Sequence, residues 1–158
     1  MEFKAPCSLL VFINSNLSDI GKTCCFRQSN ESNVYNGYCA VNIQEYNDDT
    51  SLFHADGSGV LITRPGTYIV QAHFHLFWAQ NDEIDLSISN SIQELLHSSY
   101  KDINYDNSKQ LQITLTKVVK ITSGEDRVLI RIESKNNTSY IFDWTLTNIN
   151  RIAITKIA

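Results

Sequence analysis

Apolar and polar residues alternate along most of this chain with a period of two. Tyr68, Val70, Ala72, Phe74, Leu76 and Trp78 fall on one parity, and Ile69, Gln71, His73, His75 and Phe77 on the other. Ile84, Leu86 and Ile88 alternate with Asp85, Ser87 and Ser89. Leu111, Ile113 and Leu115 alternate with Gln112, Thr114 and Thr116, and Val128, Ile130 and Ile132 with Leu129, Arg131 and Glu133. Successive side chains of a strand point to opposite faces, so this spacing builds strands with one dry face and one wetter face.

Turn chemistry punctuates these runs. Asp56-Gly57-Ser58-Gly59, Arg64-Pro65-Gly66-Thr67 and Ser123-Gly124-Glu125-Asp126 separate apolar stretches. Pro followed by Gly favours a type II turn, since Gly tolerates a positive φ. The pattern predicts strands near residues 7–13, 23–28, 38–46, 60–63, 68–78, 84–89, 111–121, 127–133, 140–146 and 151–157. One short helix is expected at residues 91–98, where Ile92, Leu95 and Leu96 share a face behind Ser91 as a cap. Residues 99–109 are polar and predict a long loop, and residues 1–35 are less regular. Many short strands with turns about every ten residues predict an all-β sandwich or barrel. No repeat or linker divides residues 1–158, so a single domain is expected.

Composition narrows the classes without changing that picture. With 158 residues and 42% hydrophobic content the chain can bury a real core. A net charge of −4 gives no electrostatic reason to bind nucleic acid or an anionic membrane. Residues 8–13 are apolar but far too few to span a bilayer, and Lys4 is the one cation ahead of them, so neither membrane insertion nor a signal peptide is expected in this chain. Asn occurs 15 times and Ile 18 times; both have AT-rich codons, which suits a virus, a phage or a low-GC bacterium. Cys7, Cys24, Cys25 and Cys39 lack the paired spacing of a zinc site. Free thiols are expected, with a disulfide from Cys39 to Cys7 or Cys24 as the alternative.

Few residues combine into chemistry. His73 and His75 stand two apart on one strand, so both imidazoles share a face and could chelate Zn. A third ligand would come from elsewhere, for instance Asp143, Glu133 or a symmetry mate. Asp48, Asp49, Asp56, Asp82, Glu83 and Asp85 could supply oxygen ligands to Ca, though no dedicated calcium-loop pattern occurs. No cofactor is otherwise expected. Neither a nucleophile elbow nor a phosphate loop is present, so no catalytic residue is assigned and the chain reads as a non-enzyme. Tyr100, Tyr105 and Tyr140 lie in or beside polar loops, where aromatic rings stack on sugars or anchor protein partners.

A larger pattern lies across residues 38–158. Phe53, then Gly59-Val60-Leu61-Ile62, then Pro65-Gly66-Thr67-Tyr68 and Phe74 follow one another in order. Further on come Val118–Thr122, Ser123-Gly124-Glu125-Asp126 and Arg127-Val128, and last Ile152-Ala153-Ile154-Thr155-Lys156-Ile157. This order resembles the complement globular-head and tumour necrosis factor superfamily. Glu125 is an extra residue in the family's Gly-Asp turn. The family's Phe-x-Gly-Phe ending and any collagen stalk are absent, and the ending resembles viral or phage fibre and spike heads as much. The resemblance implies a jelly roll of about ten antiparallel strands that assembles as a homotrimer. It also implies loops that bind a receptor protein or glycan, on an extracellular or virion surface. Tyr68, Phe74, His75 and Phe77 are the residues expected at the threefold contact, because their strand carries apolar side chains on both parities. A structural capsid or decoration protein and a secreted cytokine-like ligand are the alternatives.

Overall fold

The computed structural model describes residues 18–28, 37–38, 41–56, 59–77, 83–90, 98–103, 110–122, 124–134 and 150–158. The expected strands at 7–13 and 140–146, most of the expected helix at 91–98, and Trp78, Tyr105 and Tyr140 lie outside them. Among the described residues eleven strands run in chain order: β1 Thr23–Gln28, β2 Gly37–Tyr38, β3 Val41–Asn47, β4 Phe53–Ala55, β5 Val60–Ile62, β6 Gly66–Phe77, β7 Glu83–Asn90, β8 Ser98–Ile103, β9 Gln110–Ile121, β10 Asp126–Ser134 and β11 Arg151–Lys156. Among the described residues there is no helix, and so none able to cross a membrane.

Two antiparallel sheets result. The first, sheet A, has the order β3-β1-β11-β6-β9, and sheet B has the order β4-β5-β10-β7-β8 with β2 also paired to β10. The longest ladder joins β6 to β9, from Gly66 opposite Ile121 to Phe77 opposite Gln110. The sheets meet through the dry parity of each strand. Sheet A contributes Cys24, Phe26, Tyr68, Val70, Ala72, Phe74, Leu115, Val119, Ile121, Ile152 and Ile154. Sheet B contributes Phe53, Val60, Ile62, Ile84, Leu86, Ile88, Val128, Ile130 and Ile132. Burying these aliphatic and aromatic side chains is the main driving force of the fold.

The Pro65-Gly66-Thr67-Tyr68 motif fixes how β6 begins. Gly66 has φ 154°, and a Cβ there would stand 2.6 Å from the Ala158 carbonyl oxygen and 2.7 Å from Lys156 Cε. Only glycine lets the end of β11 lie this close. The Tyr68 hydroxyl then donates to the Arg64 carbonyl at 2.7 Å and closes the turn from inside.

Three expectations need correction. The strand expected at 38–46 is divided: Tyr38 pairs with Arg131 in sheet B, whereas Val41 pairs with Gln28 in sheet A. The chain crosses between sheets there, and hydrophobic period carries no mark of which sheet a strand joins. Within the loop expected at 99–109, residues 98–103 form β8, with Tyr100 opposite Leu86. β8 ends its sheet order, and an edge strand tolerates a polar sequence because one ladder suffices to hold it. On β7, Ser87 and Ser89, expected on a wet face, are nearly buried.

Candidate functional site

The outward parity of sheet A assembles the chemistry-bearing residues of this chain. Register stacks them in rows across the strands. Arg27, Arg151, His73 and Thr114 form one row; Cys25, Ala153, Gln71 and Thr116 the next; Thr23, Thr155, Ile69 and Val118 the third. Glu45 on the β3 edge ties the first two rows together. Its Oε1 lies 3.0 Å from Arg151 Nη2 and 3.5 Å from Arg27 Nε, and its Oε2 accepts from Cys25 Sγ at 3.4 Å. Between β1, β11, β6 and β9 the face sinks into a cavity of ≈ 400 Å³ lined by Cys25, Gln71, His73, Gln112, Thr114 and Arg151.

Asn150 braces one end of this face. It is fully buried just before β11; its Oδ1 accepts from the His75 backbone N–H at 2.8 Å and its Nδ2 donates to Gln28 Oε1 at 3.1 Å. Nothing in the local sequence marks it, since one Asn among 15 carries no periodic signal.

His73 and His75 do share a face, as their spacing requires. His73 Nδ1 lies 3.0 Å from Thr114 Oγ1, and His75 Nε2 lies 3.4 Å from Gln112 Nε2. Burial, then the charge of Arg151 and the neighbouring His75, holds the His73 pKa below the usual histidine value. Of the third ligands considered for Zn, Glu133 is on β10 in sheet B and Asp143 lies outside the described residues. Among the described residues no three His, Cys, Asp or Glu side chains cluster as a metal site would require. The Cys25 thiol is pushed up to about 11 by burial and by Glu45, and Cys24 higher still by burial. Both stay protonated at neutral pH, so neither is an activated nucleophile. Both are free thiols, while Cys7 and Cys39, the other residues of the disulfide alternative, lie outside the described residues.

Three of the acidic residues considered for Ca, Asp48, Asp49 and Asp56, are engaged locally, and Asp82 lies outside the described residues. Asp48 accepts from the Thr23 N–H at 3.0 Å and from the Tyr46 hydroxyl. Asp49 accepts from the Ser51 N–H and hydroxyl at 2.9 and 2.6 Å and pairs with Arg64 at 3.3 Å. Asp56 pairs with Arg127.

Of the four residues expected at a threefold contact, Tyr68 and Phe74 belong to the core between the sheets. Full burial within one chain leaves them no surface to offer a second copy. His75 is of outward parity yet only 2% exposed. Phe77 is placed by its backbone alone, at the end of the β6–β9 ladder. The surface that sheet A does present is the opposite parity, with Val118 59% exposed and Ile69 half-buried beside it.

No protein-family model and no curated protein sequence matches the chain. Solved structures do. The globular domain of zebrafish complement 1qA protein superposes with a TM-score of 0.62 at 14% identity, covering 87% of this chain and 98% of that one. Murine APRIL superposes with a TM-score of 0.60 at 10% identity, covering 87% and 99%. The chain has the tumour necrosis factor-like jelly-roll fold. The likeness spans nearly the whole of both neighbours, and sheet A is one of the two layers of the fold.

The depressed pKa of His73 gives a test of its surroundings. An unfolded histidine takes up a proton as pH falls through about 6.5, before the folded one does. Stability is therefore full above that value and is lost as pH falls below it toward the folded pKa. We expect the wild-type melting temperature to drop more between pH 7 and pH 5 than that of His73→Gln, as followed by circular dichroism. Equal drops in both proteins would show that the face does not penalise the imidazolium.

Proposed function

We propose that this chain is a non-catalytic binding module that works as a homotrimer and recognises a receptor protein or a glycan at a virion, phage or other extracellular surface. The observation that supports this most is the outward face of sheet A. Five strands form a continuous face with a shallow cavity, the exposed Val118 and the half-buried Ile69, and with the thiol of Cys25 protonated. An exposed aliphatic set among small polar groups suits association more than chemistry. The order of motifs from Phe53 to Gly124 that resembles the superfamily adds the expectation of threefold assembly. Since Tyr68 and Phe74 are inside, the proposed contact uses the outward parity around Ile69 and Val118 in their place.

The test is the mass in solution. Sedimentation of the 18.0 kDa chain should give a species of about 54 kDa, three chains. Val118→Glu, at a site exposed in the single chain, should shift it to monomer without unfolding it. A monomer at all concentrations sinks the assembly half of the proposal, and a trimer unaffected by Val118→Glu moves the contact elsewhere. Glycan-array and cell-surface binding by the assembled form test the recognition half, and absence of binding to any surface speaks against it.

A further inference from the structure

The cavity on sheet A has a charge pattern that the assembly reading does not use. Arg151 lines it, and its Nε is buried without a hydrogen-bond acceptor. The carboxylate that Arg151 reaches, Glu45, contacts it through Nη2 and is shared with Arg27 and the Cys25 thiol. The rest of the lining offers donors and no further negative charge: the amides of Gln71 and Gln112, the hydroxyl of Thr114 and the imidazole of His73. Two guanidiniums, Arg27 and Arg151, share the one carboxylate of Glu45, which leaves positive charge beside neutral donors on an open face. Such an arrangement recognises a carboxylate or phosphate, because charge-assisted bonds to these groups are short and strong.

We infer that this cavity binds a small anion, a phosphate or carboxylate, held by Arg151 with Gln71, Gln112, Thr114 and His73 around it. The ion can be free or carried on a sugar. The site stands on its own geometry. One consequence rests on the proposed function: on the face where copies meet, a bound anion lies within the contact, so binding and assembly are linked.

The probes are inorganic phosphate, glucuronate and, as a neutral control, glucose. Side-chain amide signals of Gln71 and Gln112 are followed by NMR, with calorimetry for affinity. A saturable response to phosphate or glucuronate and none to glucose is expected. A stronger response to glucuronate than to phosphate assigns the sugar-borne carboxylate, and the reverse assigns the free ion. Arg151→Gln should weaken binding about tenfold or more, the loss of one charge-assisted pair. Should Arg151→Gln fold poorly, Gln112→Ala, at an exposed position, is expected to weaken binding severalfold. Lys120→Gln, an equal loss of charge further along β9, should leave affinity unchanged. Absence of saturation up to tens of millimolar (roughly the weakest useful affinity) overturns the inference, as does equal weakening by Lys120→Gln and Arg151→Gln. Sedimentation in the same titration separates the two readings. A monomer that binds phosphate keeps the anion site and removes the trimer, whereas a trimer that binds neither probe removes the anion site alone.

Discussion

Replacing Asp19 with alanine should cost about 3–5 kcal/mol of folding stability, the range for stripping one partner from a buried ion pair. Asp19 sits in the turn before β1, with its side chain 6% exposed. Arg64 Nη1 donates to both of its oxygens at 2.8 Å, and Lys156 Nζ lies 3.5 Å away. Lys156 is the unusual member. It follows Ile152 and Ile154 on the inward parity of β11, is 1% exposed, and its Nζ has no hydrogen-bond acceptor. The Tyr68 ring, 6.0 Å from that nitrogen, helps to hold the charge. Asp19 is therefore the counter-charge that makes a buried lysine tolerable, and removing it strands a cation in the core. The reverse change differs in size. Lys156→Met keeps the aliphatic volume and leaves Asp19 with Arg64, so it should fall within about 1 kcal/mol of wild type. The double variant Asp19→Ala/Lys156→Met should then recover most of the loss. Urea denaturation of the four proteins measures this cycle. A single Asp19→Ala change that costs under about 1 kcal/mol, or a double variant no better than it, would mean that Lys156 finds its compensation elsewhere.

That cluster shows where sequence reading stopped. A lysine two residues beyond Ile154 on the inward parity looks like the wet end of a strand, and its partner lies over 130 positions away in a turn. Alternation is a local signal, and it located β5, β6, β7, β9, β10 and β11 because each has one parity dry enough to read. β8 escaped because SSYKDI, at the end of its sheet order, has no apolar parity. The contact expected from Tyr68, Phe74, His75 and Phe77 mixed the two parities of one strand, and adjacent parities cannot face one partner. Tyr68 and Phe74 follow the drier parity inward, as Val70 and Ala72 do. The cavity was half legible: His73 stood out by type, whereas Arg151, Gln112 and Cys25 join it through register alone. His73 meets Thr114 from 41 residues away, a pairing set by the β6–β9 ladder and not by spacing. The order of glycines and aromatics from Phe53 to Gly124 carried the fold across that gap, because it records where strands must turn and approach closely.

Gly59 is the sharpest case of such an approach, and Gly59→Ala should destabilise the protein by about 3 kcal/mol, the upper range for forcing atoms into filled space. A Cβ at position 59 would stand 2.3 Å from the Val128 carbonyl oxygen, 2.8 Å from Leu129 Cδ2 and 3.2 Å from Arg127 Cγ. The first contact is with backbone, so no rotamer change relieves it. Val128 pairs with Val60 on one side and Asn90 on the other, which places it inside sheet B. Moving it would strain both ladders. The easier escape is for β5 to peel away from β10, and that exposes Val60 and Ile62, both fully buried, and uncovers Phe53 on β4. Gly124 supplies the contrast. It has φ 65°, and a Cβ there would meet no atom within 4 Å, so alanine incurs only the left-handed backbone penalty of about 1–2 kcal/mol. For a chain of this size each kcal/mol moves the melting temperature by about 2–4 °C. Gly59→Ala should therefore melt about 10 °C below wild type and Gly124→Ala only a few degrees below it. If Gly124→Ala proved the worse of the two in a thermal melt, close packing of β5 on β10 would not be what requires glycine at position 59.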